Sequence, residues 1–465
     1  MLKPYEKYQN TEYDWLGLIP LHWQWLYLSQ TCTEKKQIKN TGNIEKKVLS
    51  LSYGKIVPRK NVDLGLAPKD YSSYQIVDKN DIILRLTDLQ NDKKSLRTGL
   101  VKERGIITSA YTCLKPFQNA AYLQYLLHSY DTQKVFYGMG GGVRQSIGYK
   151  DIRNIRIPFP PREEQDKIVR YLDWKLSKIN KLIRAKKKQI ALLNEQRQVI
   201  IHNAVTKGVD PNVMMKDSGI EWISKIPTSW KKDKITRLFN IIGSGTTPSS
   251  GNSIYYENPT TPWINSGDLY SDTMYLSNTN KSVSQRAIDD YSVLKIYPSN
   301  TIVIAMYGAS IGNLAITEIP ACCNQACCCL SEIDQRLDIK YAYYLLKACK
   351  SFWIEKSKGG GQPNISQDII KQTWLPLPPK TEQIKISQFL SYYESHFHRA
   401  IETIKHEIIL IQEFRTRLIS DVVTGKVDVR DIEIPEYEAD SDETIDDEID
   451  DNLVLDEEDG EMEVE

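Results

Sequence analysis

Residues 158–210 of this chain return in their opening and closing motifs at 376–428, and this duplication limits the possible folds more than any other feature. The opening Pro158-Phe159-Pro160-Pro161-Arg162-Glu163-Glu164-Gln165 recurs as Pro376-Leu377-Pro378-Pro379-Lys380-Thr381-Glu382-Gln383. The closing Val205-Thr206-Lys207-Gly208-Val209-Asp210 recurs as Val423-Thr424-Gly425-Lys426-Val427-Asp428. Both ends are displaced by 218 residues, so the two copies have equal length. A fixed length is what a spacer or ruler needs.

The interior of each copy reads as a long helix with a coiled-coil seam. Spacing of three and four residues from Leu172 gives Leu172, Leu176, Ile179, Ile183, Lys186, Ile190, Leu193, Arg197, Ile200 and Ala204. The second copy gives Leu390, Glu394, Phe397, Ile401, Ile404, Ile408, Ile411, Arg415, Leu418 and Val422. Eight positions of ten are apolar in each, and Arg197 and Arg415 interrupt the two seams at the same point. Polar seam residues fix register, so matched arginines point to pairing within the chain. Proline before the first turn, acidic Glu163, Glu164 and Glu382 near the positive helix end, and Gly208 and Gly425 at the exits complete the helix signals.

The duplication extends upstream. Trp15-Leu16-Gly17-Leu18-Ile19-Pro20-Leu21-His22-Trp23 returns as Trp222-Ile223-Ser224-Lys225-Ile226-Pro227-Thr228-Ser229-Trp230 at an offset of 207. The whole chain is therefore domain and helix, twice. Short β-like runs such as Asp81-Ile82-Ile83-Leu84 and Thr301-Ile302-Val303-Ile304 lie between motif and helix, broken by glycine and polar turns. Residues 110–114 and 326–330 then read as a strand, and 122–127 and 341–346 as a helix. Each domain is expected to be mixed α+β with an irregular, mostly antiparallel sheet. The expected boundaries are a loosely held extension at 1–14, a domain at 15–160, a helix at 161–207, a linker at 208–221, a domain at 222–378, a helix at 379–425 and a disordered acidic tail at 426–465. A helix of this length spans roughly 60 to 65 Å, whereas the link that follows reaches only about 50 Å. Side-by-side helices should therefore run antiparallel with one domain at each end.

The formal charge is zero, but 19 acidic and no basic residues fall between Asp431 and Glu465. The body is strongly basic, which favours a polyanionic partner. No run is apolar enough to cross a membrane, and the N-terminus lacks a signal-peptide core, so a cytoplasmic location is expected. Cys322, Cys323, Cys327, Cys328 and Cys329 lack the spaced pairs of a zinc site and no histidine is near them, so a buried strand of reduced thiols is expected and no metal.

Catalytic patterns are absent. There is no phosphate-loop sequence. Phe239–Gly245 reads as a plain loop, not a cofactor turn, and Asp334–Lys340 reads as helix-start acids, not a nuclease centre. Binding chemistry is better represented. The first domain offers Lys55, Arg59, Arg85, Arg97, Lys102, Arg104, Arg144 and Gln145 as DNA-binding candidates, and the second offers Ser244, Thr246, Asn265, Ser266, Tyr307, Asn324, Gln362 and Asn364. Lysine and arginine anchor phosphates, while Arg, Asn and Gln can read base edges.

The doubled W-x3-I-P-x2-W, the P-P-x2-E-Q helix start and the closing V-T-x2-V-D resemble the DNA-specificity subunit of Type I restriction-modification systems over residues 8–430. The resemblance implies two target recognition domains, each reading half of a split site on double-stranded DNA, with the helices setting the spacer and docking two methyltransferase subunits. It further implies that S-adenosylmethionine, ATP and magnesium belong to partner modification and restriction subunits, leaving this chain non-catalytic. The acidic tail and the cysteine-rich strand depart from that family's pattern. A coiled-coil scaffold that reads no DNA, and a self-standing methyltransferase or nuclease, are the alternatives.

Overall fold

A computed structural model of the chain describes residues 3–52, 54–59, 70–87, 89, 96–139, 147–270, 273–359 and 363–437. The chain forms two compact units, residues 1–187 with 404–465, and residues 188–403. Both long helices, Arg162–Lys207 and Lys380–Val423, contribute to each unit.

The duplicated motifs fold into duplicated pairings. Tyr8–Asn10 pairs antiparallel with Leu18–Pro20 in the first unit, with Tyr8 opposite Pro20. In the second, Met215–Ile220 pairs with Ile223–Pro227, with Met215 opposite Pro227. Both pairs obey the 207-residue offset. Arg156–Phe159 pairs with Gln24–Tyr27, and Trp374–Leu377 with Lys231–Lys234, in equivalent registers. The tryptophan motif is thus a hairpin whose returning strand leads to the one that docks the prolines at the helix start. Ile19, Trp23, Ile226 and Trp230 of that motif are buried.

These hairpins correct two expectations. The first residues are not loosely held: Tyr5 is buried and its hydroxyl donates to Glu164 Oε1 at 2.5 Å. Residues 208–221 are not a bare linker, because they supply the strand Met215–Ile220. The cause is the same in both, since each segment completes the sheet edge that its tryptophan motif begins. The tail boundary also moves. Val429 is buried, and Asp428 N donates to Lys3 O at 2.8 Å, so the chain after the second helix packs on the N-terminal segment. Residues 438–465, most of the expected tail, lie outside the described residues.

Each domain carries a four-stranded antiparallel core. In the first unit the order is Cys32–Glu34, Thr112–Pro116, Ile82–Leu84, Thr98–Leu100. The second repeats it with Phe239–Gly243, Cys327–Ile333, Ile302–Ala305, Leu314–Thr317, and adds Tyr275–Leu276 in parallel. Cys113 faces Ile83 and Cys329 faces Val303, so even the central register repeats. Phe239–Gly243 is therefore a strand of the sheet and not the plain loop expected for it; the glycine turn begins only after it. The cysteines expected in one strand fall in two: Cys327, Cys328 and Cys329 lie in the inner strand Cys327–Ile333, while Cys322 and Cys323 form a separate short strand beside Thr261–Ile264, because the turn at Asn324 and Gln325 divides them; all eight cysteines are buried and free. Asp338 caps the helix Ile339–Ala348 by accepting from Tyr341 N, as a helix-start acid should.

The helix motifs have matching internal causes. Gln165 and Gln383, both buried, each donate Nε2 at 2.9 Å to the carbonyl of Pro160 or Pro378, tying the first turn to the double proline. At the exits, Thr206 and Thr424 each donate Oγ1 at 2.6 Å to the carbonyl four residues back, and Gly208 and Gly425 take positive φ. In unit 1 the helices run antiparallel: Leu176 lies near Ile419, and Lys186 Nζ is 2.7 Å from Glu407. They run antiparallel in unit 2 also, with Arg197 beside Glu394 and Gly208 beside Glu382. Leu172, Leu176, Ile179 and Ile183 are buried, as are Phe397, Ile401, Ile404, Ile408 and Leu418. Ile190, Leu193, Ile200, Ile411 and Arg415 are half-buried.

Candidate nucleic-acid interface

The antiparallel core of unit 2 brings several loops to one end of its sheet. The strand Phe239–Gly243 ends there, as does Ile302–Ala305, while Cys327–Ile333 and Leu314–Thr317 begin there. Ser244, Thr246, Asn324 and Tyr307 lie within three residues of those strand ends. Asn265 and Ser266 join them because Thr261–Ile264 runs parallel to Cys322–Cys323, which sets Asn265 beside Asn324.

Hydrogen bonds fix this cluster. Asn324 Nδ2 donates to Asn265 Oδ1 at 3.0 Å, and Ser244 Oγ donates to the Asn324 carbonyl at 3.5 Å. Asp268, buried, accepts from Asn265 N at 2.7 Å and Asn280 N at 3.0 Å, which holds the turn carrying Ser266. Trp263 Nε1 donates to the Thr246 carbonyl at 3.3 Å. Asn364 forms a β-bridge with Tyr307, so the seven described candidates of the second domain gather on neighbouring loops at this end. Gln362 lies outside the described residues. Gly245 makes the arrangement possible: a Cβ there would sit 1.6 Å from the Cys323 carbonyl oxygen.

Sequence reasoning missed Gln325, which is exposed next to Asn324 and accepts from Thr247 Oγ1 at 2.7 Å. It also missed Lys350, whose Nζ donates to Asn313 Oδ1 at 2.7 Å and whose pKa is lowered by burial. Their signal was positional, since Gln325 opens the turn into the central strand and Asn313 the turn into its neighbour.

The first domain does not gather its candidates in the same way. Arg85 follows the strand Ile82–Leu84 and stands at the equivalent sheet end, half-buried. Arg97 is a correction: it is 0% exposed, and its Nη1 donates to the Thr87 carbonyl at 2.7 Å and the Arg85 carbonyl at 3.3 Å. Its Nε donates to Tyr137 Oη at 3.1 Å. A guanidinium used up on backbone oxygens inside the domain braces the loop carrying Arg85 and is not presented to DNA. Arg104, in the connection between the strands Thr98–Leu100 and Gly105–Ile107, is exposed and 2.9 Å from Asp78, whose carboxyl is held low by the Lys35 ammonium first and by Arg104 as well. Arg59 is half-buried beyond the strand Lys55–Pro58. Lys55 and Lys102 border a cavity beside the long helices. Arg144 and Gln145 lie outside the described residues.

Among the described residues no group of three or more His, Cys, Asp or Glu side chains is placed to hold a metal ion. No described helix is long and apolar enough to cross a membrane. Burial pushes the Cys322 and Cys328 thiols up to about 12, a setting that suits packing and not nucleophilic chemistry.

Known proteins resemble both halves of this chain. The family model described as the Type I restriction modification DNA specificity domain matches residues 29–192 and again 227–409. A putative type I restriction enzyme specificity subunit of Methanocaldococcus jannaschii, MjaX, is 26% identical over 329 residues, which cover 68% of this chain and 71% of that protein. The MjaVIII specificity subunit of the same organism is 26% identical over 374 residues, 77% of this chain and 81% of its own length. A chain from a solved structure on complex assembly and conformational transition of the type I R-M system superposes with a TM-score of 0.62 at 17% identity, over 88% of this chain and 99% of that one. Two matched copies, each spanning a domain and most of its helix, place this chain in the family of Type I restriction-modification DNA specificity subunits.

Proposed function

We propose that each domain reads one half of a bipartite sequence on double-stranded DNA, that the paired helices set the unread spacer and dock two methyltransferase subunits, and that the chain performs no catalysis itself. S-adenosylmethionine, ATP and magnesium then belong to partner modification and restriction subunits. The cytoplasm is the setting for such a complex. The observation that carries this reading is one frame with two different edges. Strand registers repeat between the domains, while the loops at the equivalent sheet end differ: Ser244, Thr246, Asn265, Tyr307 and Asn324 in one, Arg85 braced by Arg97 in the other. Constant scaffold with variable loops is how two half-sites of unlike sequence are read. The first long helix has 46 residues and so measures about 69 Å, close to two turns of duplex at roughly 34 to 36 Å each.

The test is co-expression with the methyltransferase subunits, followed by single-molecule mapping of methylated adenines. A split motif that vanishes without this chain supports the reading. Exchanging residues 15–157 for the same region of another specificity subunit should then change one half only. A change in both halves, or in neither, would reject the division of labour. Deleting one helical turn within the first long helix should alter the spacer and leave the half-sites alone.

A further inference from the structure

At the loop-bearing end of the unit 2 sheet, both asparagine amides are engaged in building the turns. Asn324 Oδ1 accepts from Ala326 N at 3.0 Å, and its Nδ2 donates to Asn265 Oδ1. Asn265 Nδ2 donates in turn to the Trp263 carbonyl at 3.1 Å. The backbone is tied down as well: Asn324 N donates to the Ile264 carbonyl at 2.9 Å. The Ser244 hydroxyl donates to the adjoining carbonyls of Asn324 and Gln325, at 3.5 and 3.4 Å. Asn265 and Asn324 thus hold the connection between Cys322–Cys323 and Cys327–Ile333, and each has both ends of its amide committed.

Gln325 sits on the same connection under different conditions. Its side chain is exposed, yet its amide is oriented, because Oε1 accepts from Thr247 Oγ1 at 2.7 Å. That bond occupies one lone pair of Oε1 and leaves the second lone pair and the Nε2 hydrogens for a partner. An acceptor and a donor side by side match the N6 amino group and N7 of adenine in the major groove, the pattern that glutamine reads bidentately. Orienting the amide before DNA arrives removes part of the ordering that binding would otherwise require.

Unit 1 repeats the turn without the amide. At an offset of 216, Thr108 matches Asn324 and Ser109 matches Gln325. Thr108 Oγ1 accepts from Ala110 N at 3.3 Å, as Asn324 Oδ1 accepts from Ala326 N. Ser109 Oγ donates to the Ser73 carbonyl at 2.6 Å, so this short side chain is turned back onto its own domain. We propose that Gln325, oriented by Thr247, specifies an A·T pair in the half-site of the second domain. The assignment rests on the function proposed above and adds to it the residue and the base pair.

The test uses the full chain in complex with methyltransferase subunits and maps methylated adenines, the exchange of residues 15–157 assigning each half to its domain. Gln325→Ala should make one A·T position of the second domain's half degenerate. Methylation at A·T over other pairs there should fall about ten- to hundredfold, with every other position retained. Gln325→Glu has the same size but no Nε2 donor, and should lose the same preference with an unchanged thermal transition. Thr247→Val should relax that position too, whereas Thr247→Ser, which keeps the hydroxyl, should not. A motif left intact by both Gln325 variants, or relaxed at a G·C pair or in the first domain's half, overturns the assignment. So does loss of the whole half together with a lowered thermal transition in Gln325→Glu, which would make Gln325 a structural residue. If the unaltered complex confers no split motif, the function proposed above fails and this assignment with it; a split motif indifferent to Gln325 fails the assignment alone.

Discussion

Arg197 and Glu394 meet across the antiparallel helices of unit 2 with Nε and a carboxylate oxygen 2.9 Å apart, although the N–H is not aimed along that line. Both occupy seam positions, so one polar interruption of each apolar stripe answers one in the other. Arg197 is buried and the Glu394 side chain is 21% exposed. Removing one partner leaves a charge in a desolvated seam. Arg197→Met or Glu394→Leu alone should therefore cost about 2–4 kcal/mol in urea unfolding, whereas the double substitution should cost clearly less than the sum of the two, the remainder falling on Lys347, which loses its contact with Glu394. Additive losses would mean that the two do not act as a pair.

Glu164 gathers three donors at the start of the first long helix. Tyr5 Oη lies 2.5 Å and Trp23 Nε1 3.0 Å from Oε1, and His22 Nε2 is 2.8 Å from Oε2. One carboxylate thus ties the N-terminal segment, the tryptophan motif and the helix together. Glu164→Ala should lower stability by about 2–4 kcal/mol because it strands buried donors. Deleting residues 1–9 should also lower the melting temperature, since Tyr5 and the Tyr8–Asn10 strand go with it. An unchanged melting temperature on deletion would show that the segment contributes nothing to unit 1.

How far the sequence revealed this structure depends on the kind of constraint. Repeated motifs carry their registers with them, so the W-x3-I-P-x2-W hairpin and the P-P-x2-E-Q helix start each fold twice alike. Periodicity located the seam, because burial of one face leaves a mark at every turn. Charges were less legible. Arg97 reads like its neighbour Arg85 in a list of cations, and only tertiary placement turns it inward onto backbone oxygens. The polar loops of unit 2 were found because their residue types are unusual together, yet the close approach that unites them depends on Gly245, which looks like any turn glycine.

Gly245 permits a contact that no other residue allows. Since a Cβ would fall 1.6 Å from the Cys323 carbonyl oxygen, Gly245→Ala must push residues 244–247 away from the turn bearing Asn324 and Gln325. The sheet beneath can hold, because Phe239–Gly243 ends before the displaced loop. The expected outcome is a loss of stability of about 1–3 kcal/mol, as for overpacked sites generally, with a much larger fall in affinity for specific than for nonspecific DNA. Competition binding against random duplex at fixed salt measures the ratio. An unaltered ratio would remove these loops from the reading surface.

His128 makes the stability of unit 1 depend on pH. Burial first, and the Arg415 charge second, pull its pKa from 6.5 to about 4. The folded imidazole is therefore neutral where the unfolded one takes up a proton. Between pH 6.5 and 4 the unfolded state binds more protons, so stability is full above pH 6.5 and falls as the pH drops toward 4, by at most about 3 kcal/mol. Below pH 4 this contribution flattens, because both states are protonated. His128→Gln should erase the slope in that window while leaving unfolding at pH 8 nearly unchanged, as chemical denaturation at successive pH values would reveal. A slope that survives the substitution would place the titrating group elsewhere in the unit.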